Sequence, residues 1–256
     1  MATNNVYNRQ DSINKAYDFI QDKVKSGYKY LGYPIYNVTK SDLQKVSDVA
    51  DKYGLPFEWL INLMRHESAG TFNPAITNSI GATGLIQFMT KIGGKTMSYA
   101  KADGSNPVGT DKLRKMSFKE QMDYVDGFLN RGLKKVLVNG KVPDSFTQGQ
   151  LFMTIFYPAS VSNPNYVFPD SVSRANGGIR TPKDYTKKAL NKPVFSLDDF
   201  PYSIQEAKEK FKKIVTEVAE ETKEFSKRNW IPILVMLVGL GGLGYYLIKS
   251  KTLKLK

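Results

Sequence analysis

Residues 57–89, FEWLINLMRHESAGTFNPAITNSIGATGLIQFM, decide how this chain is read. Trp59, Leu60, Leu63 and Met64 recur at helical spacing, and Pro56 stands at a first-turn position. Glu67 follows Leu63 by four residues and so extends the inward stripe. A charge on a buried face is a local inconsistency, and such inconsistencies gather at functional sites. Apolar surroundings disfavour the charged form of a carboxyl group, which raises its pKa and lets it donate a proton near neutral pH. A turn rich in Gly, Asn and Pro follows, then a second short apolar element, Gly84-Leu85-Ile86-Gln87-Phe88-Met89, carrying one amide. His66 adjoins Glu67, but neighbouring helical residues point about 100° apart, so it reads as a neighbour rather than a partner.

Composition narrows the chemistry. The chain has 256 residues, a formal charge of +13, one His and no Cys. Disulfide scaffolds, cysteine nucleophiles and thiolate metal sites are excluded, and a catalytic zinc site with two or three imidazoles is not expected. No metal or cofactor is expected. The positive charge favours polyanions, but it is scattered, with no Arg-rich run or aromatic RNA-binding signature, so nucleic acid is not the expected partner. Acidic wall polymers and lipid headgroups suit the same charge.

Outward from the deciding stretch, the N-terminus MATNNVYNRQDSINK lacks an apolar core and is not a secretory signal peptide. A helix is expected from about Asp11 to Lys25, followed by an extended packing arm at Tyr28–Val38, and residues 1–40 are read together as an N-terminal arm. A globular head is expected over 41–192, opening with a helix capped by Ser41 and ending at Gly54. Ser117-x-x-Glu120 is a capping box for a helix with Met122, Val125, Phe128 and Leu129 inward; Tyr124 lies between, facing core or cleft. Asn139-Gly140 predicts a small hairpin within Val136–Val142. A buried helix is expected from Thr147 to Phe156, and Ala159–Thr181 reads as a long ordered loop.

Beyond the head the pattern changes. Ile204, Phe211, Val218 and Phe225 recur every seven residues among Lys and Glu, so 193–229 reads as a linker and amphipathic stalk helix suited to self-association or to a membrane surface. Residues 230–248, Trp230 to Ile248, form an uncharged apolar run of about nineteen residues, enough to cross a bilayer. Trp230, Tyr245 and Tyr246 sit at interfacial positions, and residues 249–256 are a basic tail.

The motif H-E-S-x-G-x-x-N-P followed by G-A-x-G-L-I-Q-F-M resembles the signature of the soluble lytic transglycosylase (SLT) family of the lysozyme-like superfamily. Met116-Ser117-Phe118-Lys119-Glu120-Gln121-Met122-Asp123-Tyr124-Val125 looks like that family's phage-type middle segment. Phe156-Tyr157-Pro158 and Asn176-Gly177-Gly178-Ile179-Arg180-Thr181 are similar to its closing segments. The resemblance covers about Leu55 to Leu190. It implies a mainly α, lysozyme-like (goose-type/SLT) domain with a small β-hairpin, to which the stalk and a single transmembrane helix are added. It also implies cleavage of the β-1,4 bond between N-acetylmuramic acid and N-acetylglucosamine in peptidoglycan, with a 1,6-anhydro product.

On this resemblance Glu67 is the catalytic acid and then the base. Ser68 either reaches the sugar or closes the helix. Gln87 reads a sugar group through its amide, or else bonds the backbone. Met89 lines the cleft or packs in the core. Tyr157 corresponds to the family's late Tyr, although the usual A-Y-N-x-G is here F-Y-P. No Asp or Glu lies between Glu67 and Asp103; Asp103 or Asp111 would have to fold back for a two-carboxylate hydrolase. Two alternatives stay open: a lysozyme-type muramidase, and a non-catalytic glycan-binding membrane protein of a virion. The phage-type resemblance and the C-terminal single-pass anchor give the expected setting, local wall opening during phage entry or lysis: a virion membrane or entry machinery acting on the host wall, or a lysis protein whose head is carried across the host membrane.

Overall fold

The computed structural model describes residues 9–191, 193–195, 203–206, 209, 212 and 216. The segment 230–248, the basic tail 249–256 and most of the stretch 193–229 lie outside them. Among the described residues, no helix is long and apolar enough to cross a membrane.

The first helix, α1 (Arg9–Lys25), buries Ile13, Ala16 and Ile20 on one face. It packs on α2 (Lys40–Tyr53) and α3 (Phe57–Glu67). Arg9 pairs with Asp51 and the Ser12 hydroxyl donates to the buried Glu58. The division of residues 1–40 from the head therefore does not follow the packing, because α1 fills the same core as α2 and α3. A tight hairpin, β1 (Lys29–Tyr30) and β2 (Tyr33–Pro34), turns at Leu31 and Gly32, both with positive φ.

Helix α2 is capped by Thr39, not Ser41. Thr39 accepts from the Asp42 amide, and Asp42 answers on the Thr39 amide, a reciprocal pair that starts the helix two residues earlier and puts Ser41 in its first turn. Gly54 closes α2 in the left-handed conformation. Helix α3 begins after Pro56, and every residue from Phe57 to Met64 is buried. A helix enclosed on all sides is a central one, and α3 meets α1, α2 and α6.

After the Ser68–Met89 turn come β3 (Lys91–Ile92) and β4 (Lys95–Thr96), paired antiparallel around Gly93-Gly94. Helix α4 (Thr110–Leu113) leads to α5 (Phe118–Gly132), whose Ser117–Glu120 capping box forms as read from the sequence. The expected hairpin at Val136–Val142 is reduced to one bridge, Val138 with Lys141. The Asn139-Gly140 turn is present, both residues at positive φ, but no ladder continues from it. Helix α6 (Gln148–Phe156) is capped by Thr147 and packs on α8 (Pro182–Ala189). The stretch read as a loop, Ala159–Thr181, holds α7 (Asp170–Ala175).

The core also passes the expected boundary at 192. Val194 and Phe195 are buried, and the Asn62 side chain of α3 clasps their backbone. It accepts from both amides at 3.1 Å and donates to the Phe195 carbonyl at 2.7 Å. Ser203 bridges Thr147 at the start of α6. Replacing Asn62 by Ala strips these buried backbone groups of their partners, at about 1–3 kcal/mol for each group left unsatisfied. Denaturant unfolding of Asn62→Ala is expected to show a loss of about 3 kcal/mol or more; an unchanged midpoint would mean that the clasp contributes nothing.

Candidate functional site

Glu67 is the last residue of α3, and the chain turns sharply behind it. The Ser68 hydroxyl donates to the Met64 carbonyl at 2.7 Å and accepts from the Phe72 amide at 3.0 Å. Thr71 donates to the Ser68 carbonyl at 2.8 Å, and Gly70 donates to the Arg65 carbonyl at 2.7 Å. Ser68 is fully buried. Of its two possible roles, the structure displays the one that closes the helix.

The Glu67 side chain is half-buried, and burial of its carboxyl pushes the pKa from 4.5 up to about 8. Among the described residues, no charge and no hydrogen bond contributes to that shift. The negative end of a helix dipole also opposes a carboxylate at this position. Asp103 and Asp111 offer no second carboxylate here. Asp103 is exposed and accepts from the Ser105 amide at 2.8 Å, and Asp111 pairs with Arg114 at 3.0 Å. Asp103 belongs to a shallow depression of about 570 Å3 beside Lys52, Lys101, Asp123, Asp126 and Asn130, which does not include Glu67.

Two aromatic rings flank the end of α3. His66 sits among Phe152 of α6 and Tyr185 of α8, with ring centroids 6.1 and 5.8 Å away. Burial first, then the Arg65 charge, lowers its pKa to about 4, so the imidazole is neutral at pH 7. The Tyr185 hydroxyl lies 3.3 Å from His66 Nε2. Burial raises the Tyr185 pKa, and the nearby Glu67 raises it further. Tyr185 was not singled out from the sequence. Thr181-Pro182-x-Asp184 is a helix-start signal that would have located α8, but nothing in it says that Tyr185 meets the end of α3.

The element Gly84–Met89 is held by a buried amide that sequence reading also passed over. Gln121 of α5 accepts from the Leu85 amide at 2.7 Å and donates to the carbonyls of Pro74 and Leu113, both at 3.0 Å. Gln87 has φ of 53°, and its Nε2 donates to the Gly84 carbonyl at 3.1 Å, the backbone role. Met89 is half-buried, and its carbonyl accepts from the Tyr99 hydroxyl at 2.8 Å. Asn73 behaves as a turn residue, accepting from the Ala75 amide at 2.9 Å.

Tyr124 is 4% exposed and donates to the Asn106 carbonyl at 3.1 Å, which places it in the core. Tyr157 is half-buried and forms an aromatic group with Tyr166 and Phe168, at 5.5 Å from each. Among the described residues, Glu67 is brought together with His66 and Tyr185, while no hydrogen bond joins it to Gln87, Met89, Tyr124 or Tyr157.

Two consequences are measurable. A Cβ at Gly84, where φ is +82°, would stand 2.3 Å from Gln121 Oε1. Gly84→Ala is therefore expected to cost at least about 2 kcal/mol in denaturant unfolding; a neutral effect would show that the Gln121 anchor is not tight. The second concerns pH. In the unfolded chain Glu67 deprotonates near its ordinary value of 4.5, whereas in the folded chain it keeps its proton up to about 8. Between those values the folded state binds the extra proton, so stability falls as pH rises and then levels off. Glu67→Gln removes that slope. Its Tm advantage over the parent should open between pH 5 and 8, and a pH-independent gap would contradict the burial.

No family model, curated protein or solved structure matches the chain.

Proposed function

We propose that this protein is a peptidoglycan lytic transglycosylase with Glu67 as its single catalytic carboxyl. The observation that carries the reading is that Glu67 stands alone: its carboxyl is buried, and no other charge among the described residues moves its pKa. A pKa of about 8 leaves roughly nine molecules in ten protonated at pH 7, which suits a general acid. The motif around it, H-E-S-x-G-x-x-N-P with G-A-x-G-L-I-Q-F-M, supports the substrate class and a lysozyme-like domain.

In the first step Glu67 gives its proton to the oxygen linking N-acetylmuramic acid to N-acetylglucosamine. The C1–O bond breaks, and positive charge develops on the muramyl ring. The resulting carboxylate takes the proton from the C6 hydroxyl. O6 then bonds to C1, closing a 1,6-anhydro ring and restoring the acid form of Glu67. No water is consumed, so no second carboxylate is required. Gln87, Met89 and Tyr157 are proposed to line the glycan cleft, with Ser68 holding the end of α3 behind Glu67. Residues 230–248 anchor the chain in a bilayer, and the stalk before them offers a seam for self-association. A virion membrane or entry machinery that meets the host wall is the proposed setting.

The test is mass spectrometry of fragments released from purified peptidoglycan by the full chain. Anhydromuramyl ends are expected, and their release should drop on the order of a thousandfold in Glu67→Gln. Reducing ends would instead mark a hydrolase. Glycan binding without cleavage, equal in both proteins, would mark a non-catalytic glycan binder. The rate is further expected to fall about tenfold per pH unit above 8, the value set by Glu67.

A further inference from the structure

The β1–β2 hairpin has no part in the steps above, yet it is fastened to the turn that follows Glu67. The Tyr28 hydroxyl donates to the Ala69 carbonyl at 3.1 Å, and Asn73 Nδ2 donates to the Pro34 carbonyl at 3.0 Å. The Tyr36 amide donates to the Thr71 carbonyl at 2.8 Å. Both ends of the hairpin are thereby held to residues 69–73. Ala69 is two residues beyond Glu67, and two residues span at most about 7 Å of chain. The register pairs Tyr30 with Tyr33, and directly opposed residues share a face. Tyr28, two positions before Tyr30, returns to that same face. Tyr28 is 40% exposed and Tyr30 45%, while Tyr33 is half-buried. Lys29 and Pro34, the other pair of the register, take the opposite side.

We propose that the tyrosine face of this hairpin is a glycan-binding platform, over which the peptidoglycan strand runs on its way from the Glu67 site. The inference rests on the transglycosylase reading for the identity of the strand. The chemistry of the face selects a sugar. A pyranose ring presents a layer of C–H groups edged by hydroxyls, and a tyrosine presents an apolar ring with a polar tip. Tyr28 keeps its hydroxyl on the Ala69 carbonyl while its ring stays part-exposed. Its orientation is set before a sugar arrives, so less side-chain freedom is lost on binding. Residues 27–39 contain no acidic side chain, and their one charge is Lys29. Nothing on the hairpin therefore repels the carboxylates of the wall peptides. Such a platform touches sugars away from the reacting bond. It holds ground state and transition state alike, and so strengthens substrate binding rather than the chemical step.

The test is co-sedimentation of the full chain, in detergent, with purified insoluble peptidoglycan. Parent and variants all carry Glu67→Gln, so that binding is read without cleavage. Tyr30→Ala should weaken retention about tenfold, and adding Tyr28→Ala should weaken it further. Tyr30→Phe keeps the ring and should stay within about threefold of the parent. With Glu67 restored, Tyr30→Ala should raise KM for peptidoglycan about tenfold and change kcat much less. A fall confined to kcat would overturn the proposal. So would equal retention of Tyr30→Ala and its parent, whether both bind or neither does. Tyr30→Ala decides alone should the double variant fail to fold. Weakened retention, with no anhydromuramyl ends released by the unmutated chain, would remove the transglycosylase reading and leave the platform. Anhydromuramyl ends with unmoved retention would do the reverse.

Discussion

The structure turns on an uncompensated carboxyl group at the closed end of a buried helix. Eight consecutive residues of α3 are enclosed by protein, and the helix then stops at Glu67 because Ser68 and Thr71 tie the next turn back onto it. Most buried carboxylates are rescued by a cation or by several amide donors. Asp42 shows the local form of that rescue, bonded to the backbone and hydroxyl of Thr39. Among the described residues, nothing comparable reaches Glu67. Its proton is retained instead, and the stability given up as pH rises is the cost of keeping an acid available where water-exposed carboxyls have already ionised.

Everything packed around α3 serves to hold that helix end. Helices α1 and α2 pack on it, and α6 and α8 bring Phe152 and Tyr185 against His66, with Phe156 stacked on Tyr185. The Asn62 clasp draws residues 194 and 195 onto the same helix. The element Gly84–Met89 is fixed from a different direction, by one buried glutamine of α5 that replaces three missing backbone partners. That glutamine demands a glycine at 84, where any side chain would collide with it. Two of the residues that shape the site, Gln121 and Gly84, thus act through each other.

Much of this was legible in the sequence because it is local. The helical stripe of α3, the capping box of α5, the Gly54 stop and the α6 helix each follow from spacing or from cap chemistry within a few residues. The prominence of Glu67 was legible for the same reason. What escaped was long-range. Tyr185 lies 119 positions from His66, and Gln121 lies 36 from Leu85, so no window along the chain joins them. The place of α1 in the shared core was not legible, because its buried stripe is short and sits in a polar helix. The strand pair at Lys91–Thr96 was not legible. Gly93-Gly94 is the less familiar turn signal, and the flanking residues do not alternate.

The central claim is the physical state of Glu67, and infrared difference spectroscopy on the full chain tests it most directly. Between pH 6 and pH 9 the account predicts loss of one protonated carboxylic acid carbonyl band, centred near pH 8 and missing from Glu67→Gln. A Glu67 already ionised at pH 6, or a band that titrates in two coupled steps, would contradict a lone buried acid and point to an unrecognised partner.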